Sequence, residues 1–172
     1  MDLATYQQLA LRTAQPRAFD LDYLVPMIIG ETGELLGQRA KAHWHGWPTH
    51  QLHAELVSEL GDVAWGTAIL LHVEGITEVD MKRPSAGYPN IWGRPHNGWG
   101  SLLHKANNLH TFYSDPELKH LISPEAVSIW KSLNFFAADI TGHTFEHVLR
   151  TNLSKLESRA ARGVLQGQGD HR

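Results

Sequence analysis

GETGELLGQRAK (Gly30–Lys41) and ELVSELGDVAWGTAILL (Glu55–Leu71) decide how this chain folds. Each carries an acidic pair three residues apart, Glu31 with Glu34 and Glu59 with Asp62. On a helix that spacing puts both carboxylates on one face, side by side. Like charges so placed repel, and a purely structural role does not motivate them. A hard divalent cation removes the conflict, and carboxylate oxygens suit Mg²⁺ or Mn²⁺. Two such helices packed face to face would pool four carboxylates.

The residues around these motifs support two long helices. Leu21, Leu24, Ile28, Leu35 and Leu36 recur at helical spacing. A helix is predicted from Asp20 or Asp22, either able to cap it, to about His45. Pro26 falls in its first turns, where proline is best tolerated. Gly46-Trp47-Pro48 breaks the pattern. Thr49 is expected to cap a third helix running to Glu74 and stopped by Gly75, with Leu52, Leu56, Val63, Ile69 and Leu70 on its apolar side. Ahead of both, Leu3 to Thr13 reads as a short amphipathic helix ending before Pro16.

Further on, Lys82 to Gly100 is rich in Pro, Gly, Asn and Trp and reads as a long loop. Helical spacing resumes from Ser101 to Tyr113. Asp115-Pro116-Glu117 and Ser123-Pro124-Glu125 are both cap-proline-acid starts, the second opening a helix to about Ala138. Gly142 ends it, and Thr144 caps a last helix to about Arg162. Residues 163–172 are rich in Gly and Gln and are expected to be disordered. No strand-like alternation persists. The fold is therefore predicted to be all-α, a helical bundle with the second, third and last helices as its core. Residues 1–162 form one domain in this reading, and 76–142 is an insert before the last helix.

Composition narrows the function. The chain has 172 residues, 42% of them hydrophobic, which suits one soluble domain with its own core. A formal net charge of −3 draws it neither to nucleic acid nor to an anionic membrane. It has no cysteine, so disulfides, thiolate nucleophiles and cysteine-bound zinc are excluded. The strongest apolar stretch, Ala64 to Val73, is too short to span a bilayer, and the N-terminus lacks the pattern of a signal peptide. A cytoplasmic location is expected.

At ~100° per residue, Glu31, Glu34, Gln38 and Lys41 form one stripe, and Glu55, Glu59 and Asp62 form another. Asn152, Lys155, Arg159 and Arg162 repeat the first spacing on the last helix. Two acidic stripes and one basic stripe, packed together, make a metal site beside an anion clamp. A polyphosphate needs both. Gly30, Gly33 and Gly61 flank the acids and leave room for a ligand or a close helix. Against this, one acidic pair on a helix is commonly just a solvated face. Basic residues in a last turn often only complement the helix dipole.

The same residues resemble the MazG-like family of all-α nucleoside triphosphate pyrophosphohydrolases. The likeness lies in Gly30–Lys41, Glu55–Leu71 and FEHVLRTNLSKLESRAARG (Phe145–Gly163), about a third of the chain. It implies that Glu31, Glu34, Glu59 and Asp62 ligate Mg²⁺, with Mn²⁺ able to substitute. It implies that Asn152, Lys155 and Arg159 hold the phosphates, with Lys41 contributing. The implied reaction cuts a nucleoside triphosphate between the α- and β-phosphorus, and the implied assembly is a dimer or tetramer. Glu34 is expected to be the general base. Some phage members act on purine deoxynucleotides to remodel the precursor pool, so dATP or dGTP is the expected substrate, in the host cytoplasm if the chain is phage-encoded; dUTP or dCTP is the alternative. The base-binding residues stay open, with Trp65, Trp92 and Trp99 as stacking candidates. Two features depart from the family pattern. Ser58 stands where many relatives have another acid, with Glu55 as a possible substitute, and the stretch from Ile76 to Gly142 is far longer than the minimal pattern. That stretch is expected to cover the site, shape base recognition or build the oligomer.

Rival readings are weaker. His143-Thr144-Phe145-Glu146-His147 fits a zinc-peptidase pattern, but His143 precedes the expected cap and only a short tail follows to supply a third ligand. His43, His45, His50 and His53 surround the turn between the second and third helices, where exposed histidines are common. A non-catalytic helical interaction module would use the acidic stripe without metal. Helix-turn-helix DNA binding conflicts with the acids on the candidate helices.

Overall fold

A computed structural model describes residues 1–82 and 99–164. All regular structure among the described residues is helical: α1 (Leu3–Ala10), α2 (Leu21–His45), α3 (Thr49–Val73), α4 (Glu78–Lys82), α5 (Trp99–Ser114), α6 (Ile122–Thr141) and α7 (Phe145–Ala161). Short 3-10 turns at Pro16–Phe19 and Lys119–Leu121 lead into α2 and α6. The described residues adopt the predicted all-α class.

α2 and α3 are one antiparallel hairpin. Gln38 meets Glu59, while further back on α2 Met27 and Ile28 meet Gly66, further on in α3. Asp20 caps α2, its carboxylate accepting the Asp22 N–H at 2.9 Å. Gly46 ends α2 with a left-handed φ of 64°, a conformation glycine adopts without a Cβ clash. Gly142 ends α6 in the same way at 70°.

α3 is the central rod. It packs against α1, α2, α6 and α7, and Leu60, Val63, Ala64 and Ala68–Leu71 are fully buried. By length and composition α3 is apolar enough to cross a membrane, but 72% of its apolar window is buried inside the bundle. That apolarity is spent on helix contacts, as in a core helix. α7 runs antiparallel to α3, since Asn152 lies on Gly61 and Lys155 on Ser58.

Two helices of the stretch read as an insert, α5 and α6, line the core. On α6, Ile122, Ala126, Ile129, Leu133 and Ala137 repeat at helical spacing and are buried along α3. α5 closes the side against α2 and α6, with Leu102, Ala106 and Leu109 inward. The paired acids single out α2 and α3, yet α6 carries the stronger amphipathic pattern.

Several boundaries differ from the sequence reading. α1 stops at Ala10 rather than Thr13. Pro48, not Thr49, precedes α3, and no side chain caps it. Asp115 caps a turn rather than a helix, accepting the Glu117 N–H at 2.9 Å. α6 starts at Ile122, so Ser123 lies inside its first turn. There its hydroxyl donates to the Glu74 carboxylate at the end of α3 and does not cap α6. Thr144 does cap α7, accepting the His147 N–H at 3.2 Å. Most of the loop predicted for Lys82–Gly100, including Trp92, and residues 165–172 of the predicted tail lie outside the described residues; Lys82 and Trp99 themselves are helical.

Candidate functional site

The α2–α3 hairpin brings the first three acids together. Carboxylate oxygens of Glu31, Glu34 and Glu59 all lie within 4.8 Å of one another. Among the described residues this is the one cluster of acidic or histidine side chains close enough to share a metal ion. Glu59 is buried, Glu31 partly so, and Glu34 exposed. The arrangement follows from helical phase: Glu31 and Glu34 share one face of α2, and the antiparallel pairing sets that face opposite Glu59.

Asp62 is not part of this triad. Its two oxygens are turned to α7, where Oδ1 accepts from Asn152 Nδ2 at 2.9 Å and Oδ2 pairs with the Lys155 ammonium. Lys155 Nζ also lies 3.2 Å from Ser58 Oγ. Ser58, which stands where an acid was expected, thus supports the lysine instead. Asn152 in turn accepts the Tyr6 hydroxyl at 2.8 Å. α7 therefore adjoins the acids, as the basic stripe predicted. Arg159 follows Lys155 by one turn, and Lys41 follows Gln38 on α2. Glu55, considered as a substitute acid, stays outside the triad.

The carboxylates crowd one another, with Lys155 only partly offsetting their charge. Burial, and then the charges of Asp62, Glu34 and Glu59, push the Glu31 carboxyl up to about 7. Burial also raises Glu59, against the opposing hydrogen bond from Gln38 and with the charges of Asp62 and Glu34 adding to it. Tyr6 is raised far above its usual range by burial and by Asp62, so its hydroxyl stays a donor.

Three residues have roles that spacing alone does not reveal. Gln38 reads as one more polar position of a stripe, yet it is fully buried and donates to Glu59 Oε1 at 2.5 Å. Its own Oε1 is buried and has no hydrogen-bond partner among the described residues. Tyr6 is one residue of the short amphipathic helix predicted for Leu3 to Thr13, yet its hydroxyl anchors Asn152. Gly61 is bare because a Cβ there would lie 2.9 Å from Asn152 Cβ. By contrast Gly30 and Gly33 have nothing within 4 Å of a Cβ among the described residues.

No family model, curated protein or solved structure matches this chain. The site must be judged on its own donors. Three convergent carboxylates and a neighbouring orphaned amide oxygen are a hard, oxygen-only set, the kind Mg²⁺ and Mn²⁺ accept. The residues present fit such an ion.

The rival sites do not assemble. His143 and His147 stack, ring centroids 4.4 Å apart, but no third ligand joins them among the described residues. Glu146 is taken up by Arg150 at 2.7 Å. His43, His45, His50 and His53 form no metal-binding group either among the described residues. Trp65 lies partly buried against the core, its indole N–H buried without a partner among the described residues.

Proposed function

We propose that this chain is a Mg²⁺-dependent pyrophosphohydrolase of the MazG-like type. It would cleave a nucleoside or deoxynucleoside triphosphate to the monophosphate and pyrophosphate, with purine deoxynucleotides first among the substrates. One observation carries the reading: three carboxylates from two helices converge within 4.8 Å, next to a Lys and an Asn from a third. The resemblance of Gly30–Lys41, Glu55–Leu71 and Phe145–Gly163 to that family supports it. Glu31, Glu34 and Glu59 would hold Mg²⁺, with Asp62 adjoining. When bound, the ion would offset negative charge on phosphate oxygens.

The protein's own part is binding and proton transfer. Lys155, Asn152 and Arg159 would grip phosphate oxygens, and Lys41 would add charge at the other edge. Water attacks the α-phosphorus, the bond to the bridging oxygen breaks, and pyrophosphate departs with the β- and γ-phosphoryl groups. Glu34 is the exposed member of the triad, which supports it as the base that takes the water proton. A dimer or tetramer is the proposed assembly.

The test is pyrophosphate release across the common NTPs and dNTPs with Mg²⁺. We expect turnover of at least one, lost on chelation and in Glu59→Ala and Asp62→Ala variants that keep their helical circular dichroism. Absence of release from every nucleotide, or full activity in both variants, would overturn the proposal. Mg²⁺-independent stability together with inactivity would point to the interaction module.

A further inference from the structure

We propose that Tyr6 is a positioning residue for this site: through the Asn152 amide, its hydroxyl fixes the Asp62 carboxylate with one oxygen tethered and the other shared with Lys155. The inference rests on the acidic triad and α7 being a metal and phosphate site.

The chain of contacts is continuous. Tyr6 Oη donates to Asn152 Oδ1 at 2.8 Å, and Asn152 Nδ2 donates to Asp62 Oδ1 at 2.9 Å. Tyr6 is 0% exposed and Asn152 2%, so water does not compete for either bond. An asparagine amide has a donor end and an acceptor end, and a carboxylate accepts only the donor end. With the NH₂ group committed to Asp62, the carbonyl oxygen is left buried, and the phenol is the group that satisfies it. Gly61 completes the fixture, because its missing Cβ lets Asn152 lie against α3 beside Asp62.

The outcome is a carboxylate with divided duties. Asp62 Oδ1 stays on Asn152, while Oδ2 pairs with Lys155. An anion that draws Lys155 away would release Oδ2 alone, already aimed, and leave Oδ1 held. Hydrogen bonds behind a ligating carboxylate act in this way, and losing one typically costs about 10–100-fold in metal affinity. Tyr6 touches neither substrate nor triad, so its effect must pass through Asn152 and Asp62.

The experiment is a double-substitution cycle read by Mn²⁺ binding in the presence of pyrophosphate, the anion that draws Lys155 from Asp62, followed by electron paramagnetic resonance on the full chain. The variants are Tyr6→Phe, Asp62→Asn and the two combined, with Ile129→Val on α6 as a stability control. Tyr6→Phe is expected to weaken Mn²⁺ binding about 10-fold, while Ile129→Val leaves it unchanged at a similar loss of melting temperature. In the Asp62→Asn background the Tyr6 substitution should add nothing. Wild-type binding by Tyr6→Phe, or an equal loss in both backgrounds, would overturn the role of Tyr6 and leave the proposed function standing. A wild-type protein that binds no Mn²⁺ would overturn both.

Discussion

Replacing Glu31 with Gln should make the protein more stable and stop it binding metal. Glu31 is partly buried among Glu34, Glu59 and Asp62, which lifts its carboxyl from 4.5 to about 7. The folded-state value lies above the unfolded one. Between about pH 4.5 and 7 the folded chain therefore keeps a proton that the unfolded chain has lost. Stability falls as pH rises through that window and levels off above it. Taken at face value the penalty at pH 8 is roughly 3 kcal/mol, at about 1.4 kcal/mol for each tenfold change in proton affinity. Water reaches part of Glu31, and screening reduces this to ~1–2 kcal/mol. The amide that E31Q introduces never ionises. That variant should melt roughly 2–8 °C above wild type at pH 8 and match it near pH 4.5. Glu59, also raised, leaves a weaker slope of the same sign in both proteins. Mg²⁺ should raise the wild-type melting temperature and leave E31Q unmoved. Thermal melts from pH 4.5 to 8, with and without Mg²⁺, decide the matter. An E31Q protein less stable than wild type at pH 8, or a difference that does not change with pH, would refute the crowded-acid account.

Three further outcomes follow from the packing. Lys155→Met frees Asp62 of its cation, so Mn²⁺ alone should bind about 3–10-fold tighter, while inhibition by pyrophosphate weakens; calorimetric titration with each measures both. Gly61→Ala pushes a methyl group to 2.9 Å from Asn152 Cβ and should cost about 1–3 kcal/mol in urea unfolding, whereas Gly33→Ala meets nothing within 4 Å and should add up to about 1 kcal/mol of helix stability. Leu133→Ala, inside the stretch that reads as an insert, should cost about 2–5 kcal/mol by the same assay because its side chain is fully buried against the bundle.

What the sequence could reveal depended on whether a signal was local. Leu21 to His45 and Thr49 to Val73 were legible almost to the residue, because apolar spacing, an Asp cap and glycine stops act within a few positions. The core membership of α6 was harder to read. Its apolar face is more sharply defined than that of α3, but nothing in Ile122–Thr141 says which helix it will meet. Partner choice is a long-range property, so the segment reads as an addition although its helix α6 packs along α3. Cap assignments failed where two candidates competed. At α6 the chain enters through a 3-10 turn, and Ser123 finds Glu74 across the bundle in preference to its own helix end.

The site divides along the same line. Glu31, Glu34 and Glu59 converge because three- and four-residue spacing on two adjacent helices leaves little choice. Asp62 has the same spacing from Glu59 and goes elsewhere, since its direction is set by residues far away in sequence. Lys155 supplies charge, Asn152 a donor, and Tyr6 the proton that satisfies Asn152. No pattern within α3 encodes those partners, although Gly61, bare and next to Asp62, marks where another helix must come close. α3 therefore offers its two acids to two different neighbours, Glu59 to α2 and Asp62 to α7. A triphosphate bound across that divide would contact both, which ties its grip to the relative placement of α2 and α7 on their common partner.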